Sequence, residues 1–401
     1  CVHHVVRYLS ACPLSLLSLF FFFSASSPPP LSPLSVFVRV RCVSATGLSV
    51  RFVMYFWAVK LLASLVAAKV KNYLPQSNSR MVLFSIEAMK TILLILLSFY
   101  FESPVLFLLV FLLEICNTLF SSKLYAMVPN LIASNNLIRF NSVYTSIGSL
   151  SYFLAPMIVG VNLTHHQHYL FVLYALLVLI GSIGLLFMHI QMNEDKKTKQ
   201  AEKVRHNYQF MSIMRHPTAF LMMMVIGLLS SIGVLFDTYE VRYLIQGIGL
   251  SEQQYSFSLS FLAGCFLMTS VLLSFKKEFH SPKNMFLLGM FIYILYLILF
   301  SFAKSYFQVL FSYILLAVGQ TIAGLVQNVY VQQSLPDEEI QNYMVWDEVL
   351  SRSISGAFVL AVGVFSPDVT ALFVVFQSFS LVAMGMFLIF LLVSISLKKK
   401  P

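Results

Sequence analysis

The sequence predicts an all-α, polytopic membrane protein built from two helical bundles. Three observations carry that prediction. Between Arg51 and Leu397 run about eleven apolar segments, each long enough to cross a bilayer, and a bilayer core needs roughly 20 apolar residues per helix. Only 10% of the residues are charged while 59% are hydrophobic, against about 25% charged in soluble domains. A basic polar stretch at 191–217 divides the segments five and six. Spans need helices or closed barrels to satisfy their backbone, and segments this long exceed strand length.

In chain order the predicted spans are roughly 50–68, 81–100, 104–122, 140–161, 169–190, 218–240, 255–275, 284–303, 306–330, 342–365 and 369–396. Loop charge orients them, because lysine and arginine concentrate on the cytoplasmic side. One set of loops carries Lys69, Lys71, Arg80, Lys123, Arg139, the basic residues of 196–205, Arg215, Lys276, Lys277 and Lys283, and the tail adds Lys398, Lys399 and Lys400. The opposite set carries only Arg242 and Lys304. The C-terminus is therefore expected inside the cell membrane. The net charge of +10 reads as this asymmetry and not as a nucleic-acid footprint. The five cysteines show no CxxC and no framework spacing, so neither disulfides nor a metal is expected.

Residues 1–45 differ from the rest. The apolar run 14–23 is too short to span and leads into a Ser/Pro-rich stretch at 24–33, which does not support a helix. A signal peptide with Arg7 as its charged lead is conceivable. The preferred expectation is an aberrant or non-native segment standing where a first helix is missing. The expected organisation is then 1–45, an N-terminal bundle at 46–190 (spans two to six), a basic linker at 191–217, a C-terminal bundle at 218–397 (spans seven to twelve) and a basic tail at 398–401. A weak internal repeat supports two halves. Sliding 114–164 onto 317–367, a shift of 203, pairs Thr118 with Thr321, Val128 with Val331, Gly160 with Gly363 and Val161 with Val364. Parallel repeats around a long central loop are a known transporter plan.

The stretch Tyr125–Gly160 contains Pro129 after the fourth span, Leu137 with Asn141 at the next helix start, and Pro156 with Gly160 near its end. This resembles the major facilitator superfamily, in its macrolide-efflux and siderophore-exporter-like branch. GLSEQQYSF at 249–257 resembles the turn between that family's spans seven and eight. The likeness covers most of 46–397. One departure is marked: the family's loop between spans two and three carries a glycine followed by Asp-Arg and a later basic pair. Here Ser64–Arg80 has no glycine, Ala68 stands at the acidic position, and Lys69 and Arg80 stand for the basic members.

Charges at bilayer depth cost several kcal/mol unless paired or hydrated, so each is a candidate for function. Glu114 lies in span four with Asn117 one turn on. The resemblance places that span on the central cavity, where a carboxylate would couple proton entry to substrate exit; the plainer reading is a glutamate bonded between helices. Asp237 faces either the cavity or the outer interface, beside Glu240 and Arg242. Glu87 and Lys90 are three apart and read as a structural pair, with Lys60 snorkelling or meeting Glu87. Asp347, Glu348 and Arg352 open the penultimate span; Glu348 and Arg352 pair along the helix, or the group closes a cytoplasmic gate onto Lys69 or Lys71. Gln320, Gln327 and Asn328 present uncharged hydrogen bonds to substrate or to neighbouring helices.

His165, His166 and His168 read as a solvated loop. Gly148, Gly160, Gly181 and Gly184 are expected at close helix contacts. Phe120, Phe153, Met224 and Tyr313 are expected to line an apolar path. No phosphate-binding glycine loop occurs, which disfavours an ATP-driven pump. The function expected is secondary transport by alternating access: proton-coupled efflux of a small amphipathic compound by a monomer without cofactors. A membrane enzyme, receptor or scaffold is the alternative class.

Overall fold

The computed structural model describes residues 50–74, 79–100, 103, 105–162, 167–187, 209–276, 278–279, 281–365 and 369–397. The segment 1–45, most of the linker, the histidines 165 and 166 and the tail lie outside these. Among the described residues there are helices and no strands. They are α1 (Val50–Val70), α2 (Ser79–Phe99), α3 (Val105–Leu131), α4 (Leu137–Asn162), α5 (Gln167–Phe187), a short α6 (Gln209–Met214), α7 (Pro217–Val241), α8 (Glu252–Ser274), α9 (Pro282–Ser301), α10 (Tyr306–Ser334), α11 (Asp337–Phe365) and α12 (Val369–Leu397). Seven of them are long and apolar enough to cross a membrane. Their outward faces are greasy: Leu62, Ile92, Leu176, Met268, Leu272, Val374, Leu381 and Ile389 are all exposed. That surface would be untenable in water over such an area and is suited to lipid.

Local chemistry sets the helix ends. Pro217 and Pro282 sit in the first turns of α7 and α9, where the missing N–H costs nothing. The α7 helix runs into a π-helical stretch, Arg242–Ile248, closed by Gly249 at φ 83°, a left-handed position that glycine occupies without penalty. Ser251 then starts α8 with a capping box. Its hydroxyl accepts from the Gln254 amide, and the Gln254 side chain accepts from the Ser251 amide. The predicted turn at 249–257 is thus a stop signal followed directly by a start signal.

Several helices outrun their apolar segments. The predicted span 104–122 becomes Val105–Leu131, with Pro129 inside the helix instead of after it. The spans 306–330 and 342–365 become Tyr306–Ser334 and Asp337–Phe365, so the acidic stretch between the two predicted spans is mostly helix. Hydropathy marks where lipid ends, whereas backbone hydrogen bonding continues for another turn or two in polar surroundings.

The helix boundaries expose the repeat far better than the identities do. Adding 203 to α1 to α5 gives 253–273, 282–302, 308–334, 340–365 and 370–390, which fall on α8, α9, α10, α11 and α12. Packing follows the same correspondence. α2 lies against α3 and α5, as α9 lies against α10 and α12. The two sets meet through α4 on α8 and α1 on α11, pairs that the shift exchanges. Within the second set, α9 and α10 touch backbone to backbone. A Cβ on Gly319 would lie 2.5 Å from the Tyr293 nitrogen, and one on Gly289 would lie 2.8 Å from the Ala323 nitrogen. Gly184, expected at such a contact, has nothing within 4 Å of an added Cβ among the described residues.

Candidate functional site

Four charged side chains converge near the middle of the structure. Glu114 comes from α3, Lys60 from α1, and Glu348 and Arg352 from successive turns of α11. Arg352 Nη2 donates to Glu114 Oε2 at 2.7 Å and also reaches Glu348. Its Nη1 donates to the Lys60 carbonyl at 3.2 Å. Lys60 Nζ stands 3.7 Å from Glu114 Oε1 and 5.5 Å over the Trp57 ring. Lys60, Glu114 and Arg352 are each less than a tenth exposed. The two cations offset two carboxylates, which is what makes such a group tolerable in a low-dielectric interior. Because α1 and α3 belong to the first set of helices and α11 to the second, the Glu114–Arg352 bond ties the sets together at depth.

Lys60, expected to snorkel or to meet Glu87, pairs with Glu114. Glu87 and Lys90 form their own pair at 2.7 Å, buried, with Lys90 5.0 Å above the Phe120 ring. The repeat register places Met290 and Tyr293 at the corresponding positions of α9, both buried in the packing core. Phe120 and Tyr313 are themselves 1% and 0% exposed, so they pack inside their helix sets and do not line a path. Tyr313 donates to Glu240 near the end of α7. Met224 is half-buried, and the Phe153 side chain lies outside those described.

The expected gate between Lys69 or Lys71 and the 347–352 group takes another form. Lys69 is exposed. Lys71, just past α1, is buried and donates to Asn342 Oδ1 at 2.6 Å, more than a turn before Asp347. Burial lowers its amine to about 8. Three more bonds cross between the helix sets at the same end: Asn130 to Asp337 at 2.6 Å, Asn141 to Gln332 at 2.7 Å and Gln333 to the Ser134 carbonyl at 3.4 Å. Val128, Leu137 and Ile138 join the apolar core of the second set there, and Ala68 packs on Val345 and Val349. One end of the molecule is therefore closed by a polar and apolar layer. Arg80 is half-buried.

The remaining candidates separate by role. Gln327 is buried and donates to the Tyr343 hydroxyl at 2.7 Å, which in turn donates to the Ala219 carbonyl at 3.3 Å. It thus links α10, α11 and α7, with Asp347 Oδ1 3.5 Å away. Asn117, Gln320, Asn328 and Asp237 are half-buried. Asn141 and Gln332 as inter-set contacts escaped sequence reasoning, since a polar residue at a helix end carries no signal of its partner; Lys71 was expected at a gate, and the structure gives it Asn342 as partner. Only the basic-loop pattern around Lys71 hinted at that end.

The comparisons with known proteins agree with this geometry. The profile of the Major Facilitator Superfamily matches residues 14–359. No curated protein matches by sequence. Among solved structures, the human organic anion transporter MFSD10 (TETRAN) aligns at TM-score 0.65 and 12% identity, over 93% of this chain and 97% of that one. A bacterial homologue of the iron transporter ferroportin, in its outward-facing state, aligns at 0.65 and 16%, over 94% and 98%. The transporter FucP in the outward conformation aligns at 0.65 and 12%, over 94% and 97%. At these identities the structures speak for the fold alone. A multi-pass helical architecture with repeat-related interfaces, a buried charged group joining the halves, and a family match across most of the chain lead to one conclusion: the protein belongs to the Major Facilitator Superfamily and is a membrane transporter, not an enzyme.

Proposed function

We propose that this chain is a monomeric, proton-coupled exporter of a small amphipathic compound in the cell membrane, in the manner of the macrolide-efflux and siderophore-exporter branch. In this reading the bundles are 46–190 and 218–397, joined by the linker 191–217, and they rock about a midplane site. The observation that carries it is the Glu114–Arg352 bond across the halves. A proton arriving on Glu114 removes its charge and frees Arg352 to stay with Glu348 on its own helix. The halves then part at depth without leaving an unpaired carboxylate in the low-dielectric interior. The layer around Lys71, Asn130 and Asn141 lies at the end that loop charge assigns to the cytoplasm, which supports an outward-facing arrangement with the C-terminus inside.

The test is uptake of radiolabelled erythromycin into proteoliposomes of the purified protein under an imposed pH gradient. Gradient-driven uptake in the wild type that is lost in Glu114→Gln, with the variant still monodisperse in detergent, is the expected result. Equal gradient-driven uptake by the variant would remove Glu114 from the coupling step. Uptake indifferent to the gradient in the wild type would remove proton coupling altogether.

A further inference from the structure

Asn141 and Gln332 meet across the two helix sets, Asn141 near the start of α4 and Gln332 near the end of α10. They are 1% and 4% exposed. Asn141 Nδ2 donates to Gln332 Oε1 at 2.7 Å and to the Leu137 carbonyl at 2.9 Å. The other half of each amide is unmatched. Asn141 Oδ1 and Gln332 Nε2 are sealed from open space, and no described group bonds to either. Exchanging oxygen and nitrogen within the amides does not mend this. Turning Asn141 alone would set its oxygen against Gln332 Oε1, and turning Gln332 alone would set two donors against each other. Turning both would restore their mutual bond and set the Asn141 oxygen against the Leu137 carbonyl.

The repeat shows that this junction does not need amides. The 203-residue register carries α4 onto α11 and α3 onto α10, and it matches Asn141 with Met344 and Pro129 with Gln332. Both counterparts are half-buried, and α3 packs on α11 as α4 packs on α10. An apolar pair thus occupies one junction and a half-satisfied amide pair the other. Replacing a buried polar pair by apolar residues of similar volume is often neutral or stabilising. A buried polar atom without a partner costs more than a typical net hydrogen bond contributes. The Asn141–Gln332 bond therefore does not hold this end shut. Two unpaired atoms against one bond make closure less favourable, and parting the halves gives both amides back to water.

We propose that the Asn141–Gln332 pair is a release element in the closed end of the molecule: it destabilises closure and keeps the alternation of the halves reversible. The inference rests on the rocking of the halves in the proposed function, and on neither proton coupling nor the substrate. The other contacts of that end favour closure: Lys71 on Asn342, Asn130 on Asp337, and Val128, Leu137 and Ile138 in the apolar core of the second set. A transporter has to visit both states, and an end that shuts too firmly leaves its open form too rare for substrate to meet. One under-paired junction inside an otherwise tight layer offsets part of that preference.

The experiment is double electron–electron resonance on the purified full chain in nanodiscs, without gradient or substrate, with native cysteines replaced. Spin labels at the exposed Lys69 and Pro336 report the closed end as a short distance and the open end as a long one. The wild type should show both. Asn141→Leu combined with Gln332→Met should lower the open-to-closed ratio by about tenfold or more, since it removes both unpaired atoms at once. Each single replacement removes one unpaired atom and takes away the remaining bond, so it should move the ratio much less than the double. Exchanging the amides, Asn141→Gln with Gln332→Asn, keeps polarity and total volume and should leave the ratio near that of the wild type. A bond that simply holds the halves together predicts the opposite sign, with the apolar double more open. That result, or a ratio unchanged in the double, would overturn the proposal. A double variant that fails to fold would also overturn it, because the register-related junction is already apolar. A single distance in every protein would instead count against the rocking itself, which separates the two failures.

Discussion

Replacing Arg352 by glutamine removes one of two cations from a group that holds Glu114 and Glu348. Lys60, at 3.7 Å from Glu114, is left to face both carboxylates. Removing one partner of a buried pair costs about 3–5 kcal/mol. Protonation sets a ceiling on that cost. A carboxylate with an ordinary value of about 4.3 takes up a proton at pH 7 for about 4 kcal/mol, and each unit of acidification cuts this by about 1.4 kcal/mol. Arg352→Gln should therefore lose about 3–4 kcal/mol at pH 7 and only about 1 kcal/mol at pH 5. Adding Glu114→Gln leaves one carboxylate and one amine, so the double variant should recover about 2–3 kcal/mol of the loss. Equilibrium SDS-titration unfolding of the four proteins of the cycle, at both pH values, measures these quantities. Additive losses, or a loss in Arg352→Gln that does not shrink on acidification, would show that the four side chains do not act as one charged unit.

Two further outcomes are expected. With the end around Asn342 closed, Lys71 is held near 8; with that end open and the amine in water it returns to about 10.4. The closed form binds fewer protons between those values, so it gains stability as pH rises through about 8, by up to about 3 kcal/mol. Spin labels at the exposed Lys69 and Pro336 should show a larger short-distance population at pH 9 than at pH 7, and Lys71→Met should lose the difference; a pH-independent distance distribution in the wild type would contradict this. Gly319→Ala should cost about 1–3 kcal/mol of overpacking, because its Cβ would meet the Tyr293 backbone at 2.5 Å. Gly324→Ala, with nothing within 4 Å, should be near neutral, and equal melting temperatures for the two would refute the close α9–α10 contact.

The helical membrane class was legible because lipid imposes one rule on composition: long apolar runs with few charges. Lengths were less legible, since α3, α10 and α11 continue past the apolar boundary into polar layers that hydropathy does not see. The repeat was faint in identities and plain in helix ends. Side chains have diverged between the halves while the backbone geometry that closes each bundle has not. Glu114, Arg352 and Glu348 stood out as charges in apolar context, and the i,i+4 spacing of Glu348 and Arg352 declared their pairing. Nothing local linked Glu114 to Arg352, 238 positions away.

From the chain alone came the solvent this protein occupies, the order of its helices, the side on which its basic loops gather, and the short set of charges that needed an explanation. Those follow from transfer energies and local spacing, which each segment carries by itself. Only the folded arrangement decided which charges compensate one another: Lys60 with Glu114, Arg352 across the halves, and Asp347 with no cation among the described residues. Charge balance depends on distances between helices, and no segment of sequence contains that information singly.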